Sequence, residues 1–370
     1  MKKIHVCLVS DQPMPNITSC LQLEPNQVEL LFTRDKLQEA MRIEEFLKAR
    51  GIIVKGVEID PYDIKNVTDN CARLIAEYGI ENISLNVTGG TKVAALGAYQ
   101  AFYSQGCDIY YVNTSENEII QLAPSSASIP IKINISIPDY LDVHGFRPES
   151  WTKDDSWISA RAEISSFLAE LAIARPKLIG AINYSFREDV KSLTYPFKLK
   201  LPSEGEFRTL AQIMAKSGLA TEGSGSTIIL PDVETAQFLR GFWFEEHVYL
   251  SAKKVSGVEV VLNMIGRWET NRKIEPKNEF DVMVASGNRL LYLSCKTSNA
   301  DRDGAGREYL YELDSLGDRA LGLFGKKVLA SARSITDKYI HQRAINMGIE
   351  ILDGEDIREL PKRIKQWLKL

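Results

Sequence analysis

The sequence predicts an α/β protein in three parts. A doubly wound domain with a mostly parallel sheet covers residues 1–140, a mainly helical connector with a winged-helix-like order covers 141–230, and a second α/β domain covers 231–370. Three observations predict it. The chain has 370 residues, enough for two or three domains at about 100–200 residues each. Through the first third, apolar runs of strand length alternate with stretches of helical spacing, the pattern of βα units that feed a parallel sheet. Near residue 124 that rhythm gives way to helices, and from residue 232 a helix is followed by three consecutive strands.

The elements follow in order. Residues 3–10 read as a first strand, closed by a loop over 11–16 that carries Pro13 and Pro15. The two lysines before the apolar run imitate a signal peptide, but residues 4–9 are too few for its apolar core and include His5. Strands are predicted over 28–33, 52–59, 82–87, 108–113 and 118–121, with helices over 35–50, 61–78 and 93–105. In the second of these helices Val67, Cys71, Leu74 and Ile75 share one face. Residues 129–137 alternate apolar and polar as an edge strand does. In the connector, helices are predicted over 157–174, ended by Pro176, and over 206–218. A Gly- and Ser-rich turn at 220–226 and a strand over 227–230 follow, giving the winged-helix-like order. The last part reads as a helix over 235–251, strands over 258–265, 279–285 and 290–295, then helix, strand, helix, strand and helix to the end. Gly287-Asn288 between two of the strands is a tight hairpin turn.

Composition narrows the function. Hydrophobic residues make up 44% and charged residues 25%, an ordinary globular balance that excludes disorder, collagen or coiled coil as the main state. Net charge is −4, so a protein that coats nucleic acid through bulk charge is excluded and any such contact must be local. The five cysteines (7, 20, 71, 107 and 295) are scattered without a CxxC pair, which argues against disulfides and zinc and fits a reducing cytoplasm. No apolar stretch reaches the ~20 residues of a membrane helix.

Two constellations carry chemistry. In Asn86-Val87-Thr88-Gly89-Gly90-Thr91-Lys92 a strand ends, glycines turn the chain and a helix opens. Such a turn presents backbone N–H groups and a helix N-terminus to an anion, with Thr88, Thr91 and Lys92 as further donors. The spacing is not that of a Walker A loop, and a plain strand–helix turn fits Gly89-Gly90 equally well. In an open sheet the loop at 10–16, with Ser10, Asp11, Gln12 and Asn16, lies at the same edge. The second constellation joins Glu279 and Asp281 on one strand to Ser294-Cys295-Lys296 on the next. Asp281 and the Cys295 carbonyl are oxygen ligands of the kind Mg²⁺ or Mn²⁺ accepts, and Lys296 can steady developing negative charge. Glu245 and Glu246 lie in the aromatic helix GFWFEEH just before, where a part-buried carboxylate needs a partner. Charges at a solvent-facing hairpin are the plainer reading of the same residues. Lys326, Lys327, Arg302, Arg307 and Arg319 form a candidate basic rim. The four histidines lack HxxxH spacing, and no GxSxG elbow is present.

With these residues in hand, the chain resembles a known family. VSDQPMPN and NVTGGTK resemble the CARF domain, the Rossmann-like sensor of cyclic oligoadenylates in CRISPR defence. GFWFEEHV, NEFDV, LSCKTS and YELDSLGDRA resemble the restriction-endonuclease-like PD-(D/E)xK domain fused to it in ancillary effectors of type III systems. The resemblance implies a homodimer that binds one ring, most often cyclic tetra-adenylate, between its sensor domains. Ring contacts would be Ser10, Asp11, Gln12, Asn16, Thr88, Gly89, Gly90, Thr91 and Lys92. It further implies an Mn²⁺- or Mg²⁺-dependent endonuclease acting on single-stranded or nicked DNA and on RNA, with Glu245, Glu279, Asp281 and Lys296 catalytic and the metal on Asp281, Glu245 and the Cys295 carbonyl. Glu245 is preferred over Glu246 as the helical carboxylate. Ser294 departs from the pattern, which has an acid two positions before the lysine. The alternatives are a ligand-sensing transcription regulator with an inactive nuclease-like domain and a nuclease that degrades its own signal.

Overall fold

The computed structural model describes residues 4–186, 189–201, 205–224, 227–269, 276–322 and 325–370. Lys3 of the expected first strand and residues 225–226 of the expected Gly- and Ser-rich turn lie outside them.

The first domain is built from β1 (Ile4–Leu8), α1 (Met14–Leu23), β2 (Gln27–Phe32), α2 (Leu37–Lys48), β3 (Ile53–Glu58), α3 (Ile64–Tyr78), β4 (Ile83–Asn86), α4 (Lys92–Ser104), β5 (Asp108–Asn113), β6 (Glu118–Ala123) and β7 (Ala127–Pro130). Its seven-stranded sheet runs β3-β2-β1-β4-β5-β6-β7, parallel as far as β5 and antiparallel beyond. Local chemistry sets the helix starts: Asp63 accepts the N–H groups of Lys65 and Asn66 to cap α3, and Thr91 accepts that of Ala94 to cap α4. The apolar face of α3 is Val67, Cys71, Leu74 and Ile75, as its spacing predicts. Two expectations change. The 11–16 loop holds the start of α1, because proline is tolerated in a helix's first turn, where its missing N–H costs nothing. Of the expected edge segment 129–137 only Ile129 and Pro130 pair, at the end of β7, which begins earlier at Ala127, and Ile137–Val143 is instead a helix, α5, capped by Ser136.

The second part contains β8 (Phe146–Ser150), α6 (Ser156–Ala160), α7 (Ala162–Ala174), α8 (Pro176–Ser185), β9 (Phe197–Lys200), α9 (Gly205–Lys216), β10 (Thr221–Glu222) and β11 (Thr227–Leu230). Pro176 ends one helix and, as the first residue of α8, starts the next. After α9 an antiparallel pair, β10 and β11, joins β9 in a three-stranded sheet.

The last part contains α10 (Val233–Gln237), α11 (Trp243–Lys253), β12 (Glu259–Trp268), β13 (Asn278–Ser286), β14 (Arg289–Lys296), α12 (Ala305–Ala320), β15 (Lys326–Ser331), α13 (Lys338–Asn346), β16 (Ile349–Asp353) and α14 (Leu360–Leu368). The expected single helix over 235–251 is broken by a π-helical turn, Phe238–Phe242, where Gly241 leaves helical conformation. The sheet runs β16-β15-β14-β13-β12-β8. Residues 146–150, expected in the connector, therefore belong to the last sheet. Phe146 anchors them, edge-on to Trp268 at 5.2 Å and to Phe280 at 5.1 Å.

That sheet is buried on both faces. Val282, Val284, Leu291 and Leu293 pack into the core of the connector helices. Met283, Ala285, Leu290 and Tyr292 pack into a core shared with Ile17, Ile43 and Leu141 of α1, α2 and α5. The strand period of two thus serves two cores at once.

Burial holds His5, His144 and His247 to pKa values of about 4. The unfolded chain takes up protons near pH 6.5 and the folded chain does not, so this stability is present above 6.5 and lost as pH falls toward 4. The melting temperature of the His5→Gln variant should therefore fall less between pH 7 and pH 5 than that of the parent chain. Equal falls in thermal melts of the two proteins would refute the linkage.

Candidate sensor pocket and nuclease site

The sensor pocket forms where β1, β4 and β5 end. Gly89 is required by close approach, since a Cβ there would stand 2.1 Å from the Leu8 carbonyl oxygen. Gly90 turns the chain at φ 78°. Asn86 braces the turn: its Oδ1 accepts the Thr88 N–H at 3.1 Å and the Thr88 hydroxyl at 2.6 Å, and that hydroxyl accepts the Val112 N–H at 2.8 Å. The resulting cavity is about 240 Å³. Ser10, Gln12, Thr88, Gly89 and Gly90 of the expected set line it. The other four stand elsewhere. Asn16 is buried and donates to the Leu8 carbonyl at 2.9 Å while accepting from Asn86 at 3.1 Å, so it ties β1 to β4. Asp11 pairs with Lys36 at 2.8 Å, Thr91 caps α4, and Lys92 is exposed at that helix's first turn.

The lining also includes residues outside the expected set, among them Tyr111 and Asn113 of β5, Tyr140 of α5 and Asn288. Asn288 belongs to the last domain, in the turn between β13 and β14, where Gly287 and Asn288 take φ 55° and 60° as a tight hairpin requires. Its Oδ1 accepts the Ile135 N–H at 2.9 Å, and its Nδ2 donates to the Ile133 carbonyl at 2.9 Å and to Asn117 at 3.3 Å. The turn residues were legible in the sequence. Their destination was not.

At the other end of the same hairpin lie Asp281 and Lys296. Asp281 accepts the Cys295 N–H at 2.7 Å and faces the Ser294 hydroxyl at 3.4 Å. Ser294 thus serves as a prop for the carboxylate and is itself buried. Opposite Asp281 the ladder with β12 skips a pair, and Asn263 there takes φ 54° with its Oδ1 buried and unpartnered among the described residues. Burial first, then the charges of Asp281 and Glu279, push the Glu245 carboxyl well above its usual range. Its Oε2 also is buried without a partner among the described residues. Burial likewise raises Asp281, against the pull of Lys296 and the Cys295 N–H. Burial opposes the Lys296 charge, but Asp281 and Glu312 outweigh it and hold the ammonium charged. Lys296 lies 3.4 Å from Glu312 and 5.2 Å over the ring of Tyr309. Glu279, near the start of β13, keeps part of its surface in solvent, but the desolvation of its carboxyl and the charge of Asp281 raise it too.

Glu246 is the other kind of carboxylate. It is 2% exposed and forms a two-pronged ion pair with Arg161, whose guanidinium stacks on Trp157 at 4.2 Å and Phe238 at 4.5 Å. That pair occupies Glu246 and leaves Glu245 for the site. No group of three or more His, Cys, Asp or Glu side chains among the described residues converges to hold a metal ion. The oxygens that could hold a divalent cation here are the carboxylates of Glu245 and Asp281 and the Cys295 carbonyl, with water completing the shell as Mg²⁺ sites commonly do. The repulsion between the two acids and the orphaned Glu245 oxygen fit a divalent cation.

The first, Rossmann-like domain carries a pocket at its strand ends, and the second α/β domain gathers Glu245, Asp281 and Lys296 at the far end of the β13–β14 hairpin. Residues 4–140 match the Card1 CARF domain and residues 232–370 match the Card1-like endonuclease domain. The chain belongs to this family of CARF-domain endonucleases. No curated protein matches it. Among solved structures it is similar to protein VC1899 from Vibrio cholerae, at 22% identity over 99% of this chain and 98% of that one, with a TM-score of 0.88. It is similar to Can2 from Sulfobacillus thermosulfidooxidans in complex with cyclic tetra-adenylate, at 23% identity over 100% and 98%, with a TM-score of 0.82. A type III CRISPR defence DNA nuclease activated by cyclic oligoadenylate aligns at 18% identity over 90% of this chain and 45% of that one, with a TM-score of 0.56. These likenesses show the shared fold. No helix among the described residues is long and apolar enough to cross a membrane.

The two neighbouring glutamates should separate cleanly on mutation. Glu246→Ala strands the part-buried Arg161 and should cost about 2–4 kcal/mol of stability, somewhat less than the loss of a fully buried pair. Glu245→Gln relieves repulsion, so thermal melts should show an unchanged or higher melting temperature with cleavage lost. The opposite pattern would reverse the assignment.

Proposed function

We propose that this protein is a metal-dependent endonuclease switched on by a cyclic oligoadenylate, cyclic tetra-adenylate first among the ring sizes, in type III CRISPR defence. One observation carries the reading: a single hairpin, β13–β14, has its turn in the wall of the sensor pocket and its far end at the Glu245–Asp281–Lys296 centre. A β14 of eight residues spans about 24 Å at ~3.4 Å per residue, so the two sites are joined by one stiff strand pair. The family match and the cyclic tetra-adenylate bound by a structural relative support the choice of ligand.

The ring is two-fold symmetric, and the pocket of one chain offers it only one wall. Two copies related by a two-fold axis would enclose it, each presenting Ser10, Gln12 and the Thr88–Gly90 turn. In such a homodimer the backbone N–H groups at Gly89 and Gly90 and the start of α4 meet the phosphates, with Lys92 at the rim. The ring acts by preferring one arrangement of the pair, which the hairpins pass to both catalytic centres.

At that centre Glu245, Asp281 and the Cys295 carbonyl would hold Mn²⁺ or Mg²⁺, which supplies a polarised water and neutralises charge at the phosphate. The Cys295 N–H and Ser294 keep Asp281 aimed. Lys296 stays protonated and steadies the negative charge that builds on the phosphoryl oxygens. Hydrolysis of this kind leaves a 5′-phosphate and a 3′-hydroxyl. Single-stranded or nicked DNA and RNA are the substrates to test.

Purified protein with Mn²⁺ should cut nucleic acid only when the ring is added. Equal cutting with and without it would remove the sensor. Lys296→Ala should abolish cutting and retain ring binding, whereas Gly90→Asp should lose ring binding.

The hairpin yields a separate expectation. Asn288→Gly preserves the left-handed turn but deletes the side chain. Cutting without the ring should stay at the parent's level, and ring-stimulated cutting should drop by about tenfold, the scale of a lost coupling of about 1.4 kcal/mol. Full stimulation in that variant would show that the signal does not travel through this turn.

A further inference from the structure

The candidate basic rim is taken apart by the fold. Lys327 is neutralised by Asp314 at 2.5 Å and Asp318 at 2.7 Å, Lys326 by Glu350 at 3.2 Å, and Arg319 packs on Trp268 at 4.1 Å at the domain boundary. Of that rim Arg302 and Arg307 are left, and beside Arg302 stands a further arginine, Arg333. Neither Arg302 nor Arg333 ion-pairs with a carboxylate among the described residues.

Their placement is built. β14 and β15 run parallel with Lys296 opposite Ser331, and the pairing continues one step further as the Ala332 N–H donates to the Lys296 carbonyl at 2.9 Å. Arg333 is the next residue. Arg302 lies in the loop after β14, and Asp301 pins that loop to the one after β15, accepting the N–H groups of Thr336 at 3.0 Å and Asp337 at 3.1 Å and the Thr336 hydroxyl at 2.6 Å. Asp301 thus directs its carboxylate into loop closure. The connector forms a wall: an Arg333 guanidinium nitrogen stands 3.6 Å from where a Cβ on Gly180 would be. One turn along α8, Asn183 donates to the carbonyl and hydroxyl of Thr297, the residue after Lys296, at 3.3 and 3.4 Å. The Asn183 Oδ1 is buried with no partner among the described residues. Burial and then the like charge of Arg302 hold Arg333 below its ordinary pKa, with the more weakly felt Asp301 carboxylate pulling the other way.

We propose that Arg302 and Arg333 form an anion clamp that takes a backbone phosphate of the substrate strand and lays that strand along α8 into the Lys296 centre. The inference rests on the endonuclease reading. Guanidinium forks suit phosphate geometry, and the clamp supplies locally the charge that a chain of net −4 lacks overall. These are positioning residues, so their loss should appear in binding and KM more than in kcat.

The test uses the full chain with cyclic tetra-adenylate. Fluorescence anisotropy in EDTA follows labelled single-stranded DNA and RNA oligonucleotides of one sequence between about 50 and 200 mM salt. Cleavage of the same oligonucleotides is followed in Mn²⁺. Arg302→Gln and Arg333→Gln should each weaken binding about tenfold and lower the log–log salt slope by about one. KM should rise with kcat held within about twofold, and Arg333→Lys should restore most of the salt slope. Parent-like affinity and slope in both glutamine variants, with the parent chain cutting normally, would overturn the clamp alone. A parent chain that neither binds nor cuts would overturn the endonuclease reading and the clamp with it. Should Arg333→Gln fail to fold, the exposed Arg302→Gln carries the test by itself.

Discussion

Everything in this molecule is organised around the anchoring of the β13–β14 turn by Asn288. A buried asparagine side chain makes three hydrogen bonds to the first domain's chain, to Ile135, Ile133 and Asn117. Buried amides left unpaired are costly, so the turn cannot drift from the first domain without losing all three. Arg289 extends the tether, donating from its two terminal nitrogens to the carbonyls of Leu368 and Ser115. Ion pairs of Glu269 with Arg42 at 2.9 Å and Arg147 at 2.6 Å, all partly buried, close the same seam. The two α/β domains therefore share one apolar core and meet as one packed body.

The end of the hairpin at Asp281 and Lys296 has the opposite character. The folded chain there gathers carboxyl groups that repel one another and leaves buried oxygens of Glu245 and Asn263 without partners among the described residues. A fold shaped for stability alone would place apolar side chains at these positions. The neighbouring Glu246–Arg161 pair shows what a satisfied buried acid looks like in the same helix. Asn183, Glu245 and Asn263 account for three of the six buried side-chain atoms without a partner among the described residues, and the π-helical turn before α11 lies beside them, a Cβ on Gly241 standing 3.4 Å from the Thr297 hydroxyl.

Much of this was legible in the residues. Alternating strand and helix patterns placed the parallel sheet, the Gly89-Gly90 turn and the β13–β14 hairpin, because hydrophobic period and turn chemistry are local properties. The helical start at Met14 was hidden by prolines that read as breakers, and α5 was hidden by a short stretch whose alternation imitates a strand. The role of β8 could not be read at all, since Phe146 finds Trp268 and Phe280 more than a hundred residues away.

The site divides the same way. By itself the sequence determined the residue types and the neighbourhoods that carry chemistry: Asp281 and Lys296 on adjacent strands, a glutamate pair in the helix before them, and a glycine turn at a strand end. Only the tertiary structure set Glu246 apart from Glu245, by pairing it with Arg161 at the junction of α6 and α7, 85 residues upstream. It also set Asn16 as a brace inside the core and carried Asn288 from one domain into the pocket of the other. Local sequence encodes what a segment can do with its own backbone. Which charge is compensated, and which turn reaches which pocket, depends on contacts between distant segments that no local pattern records.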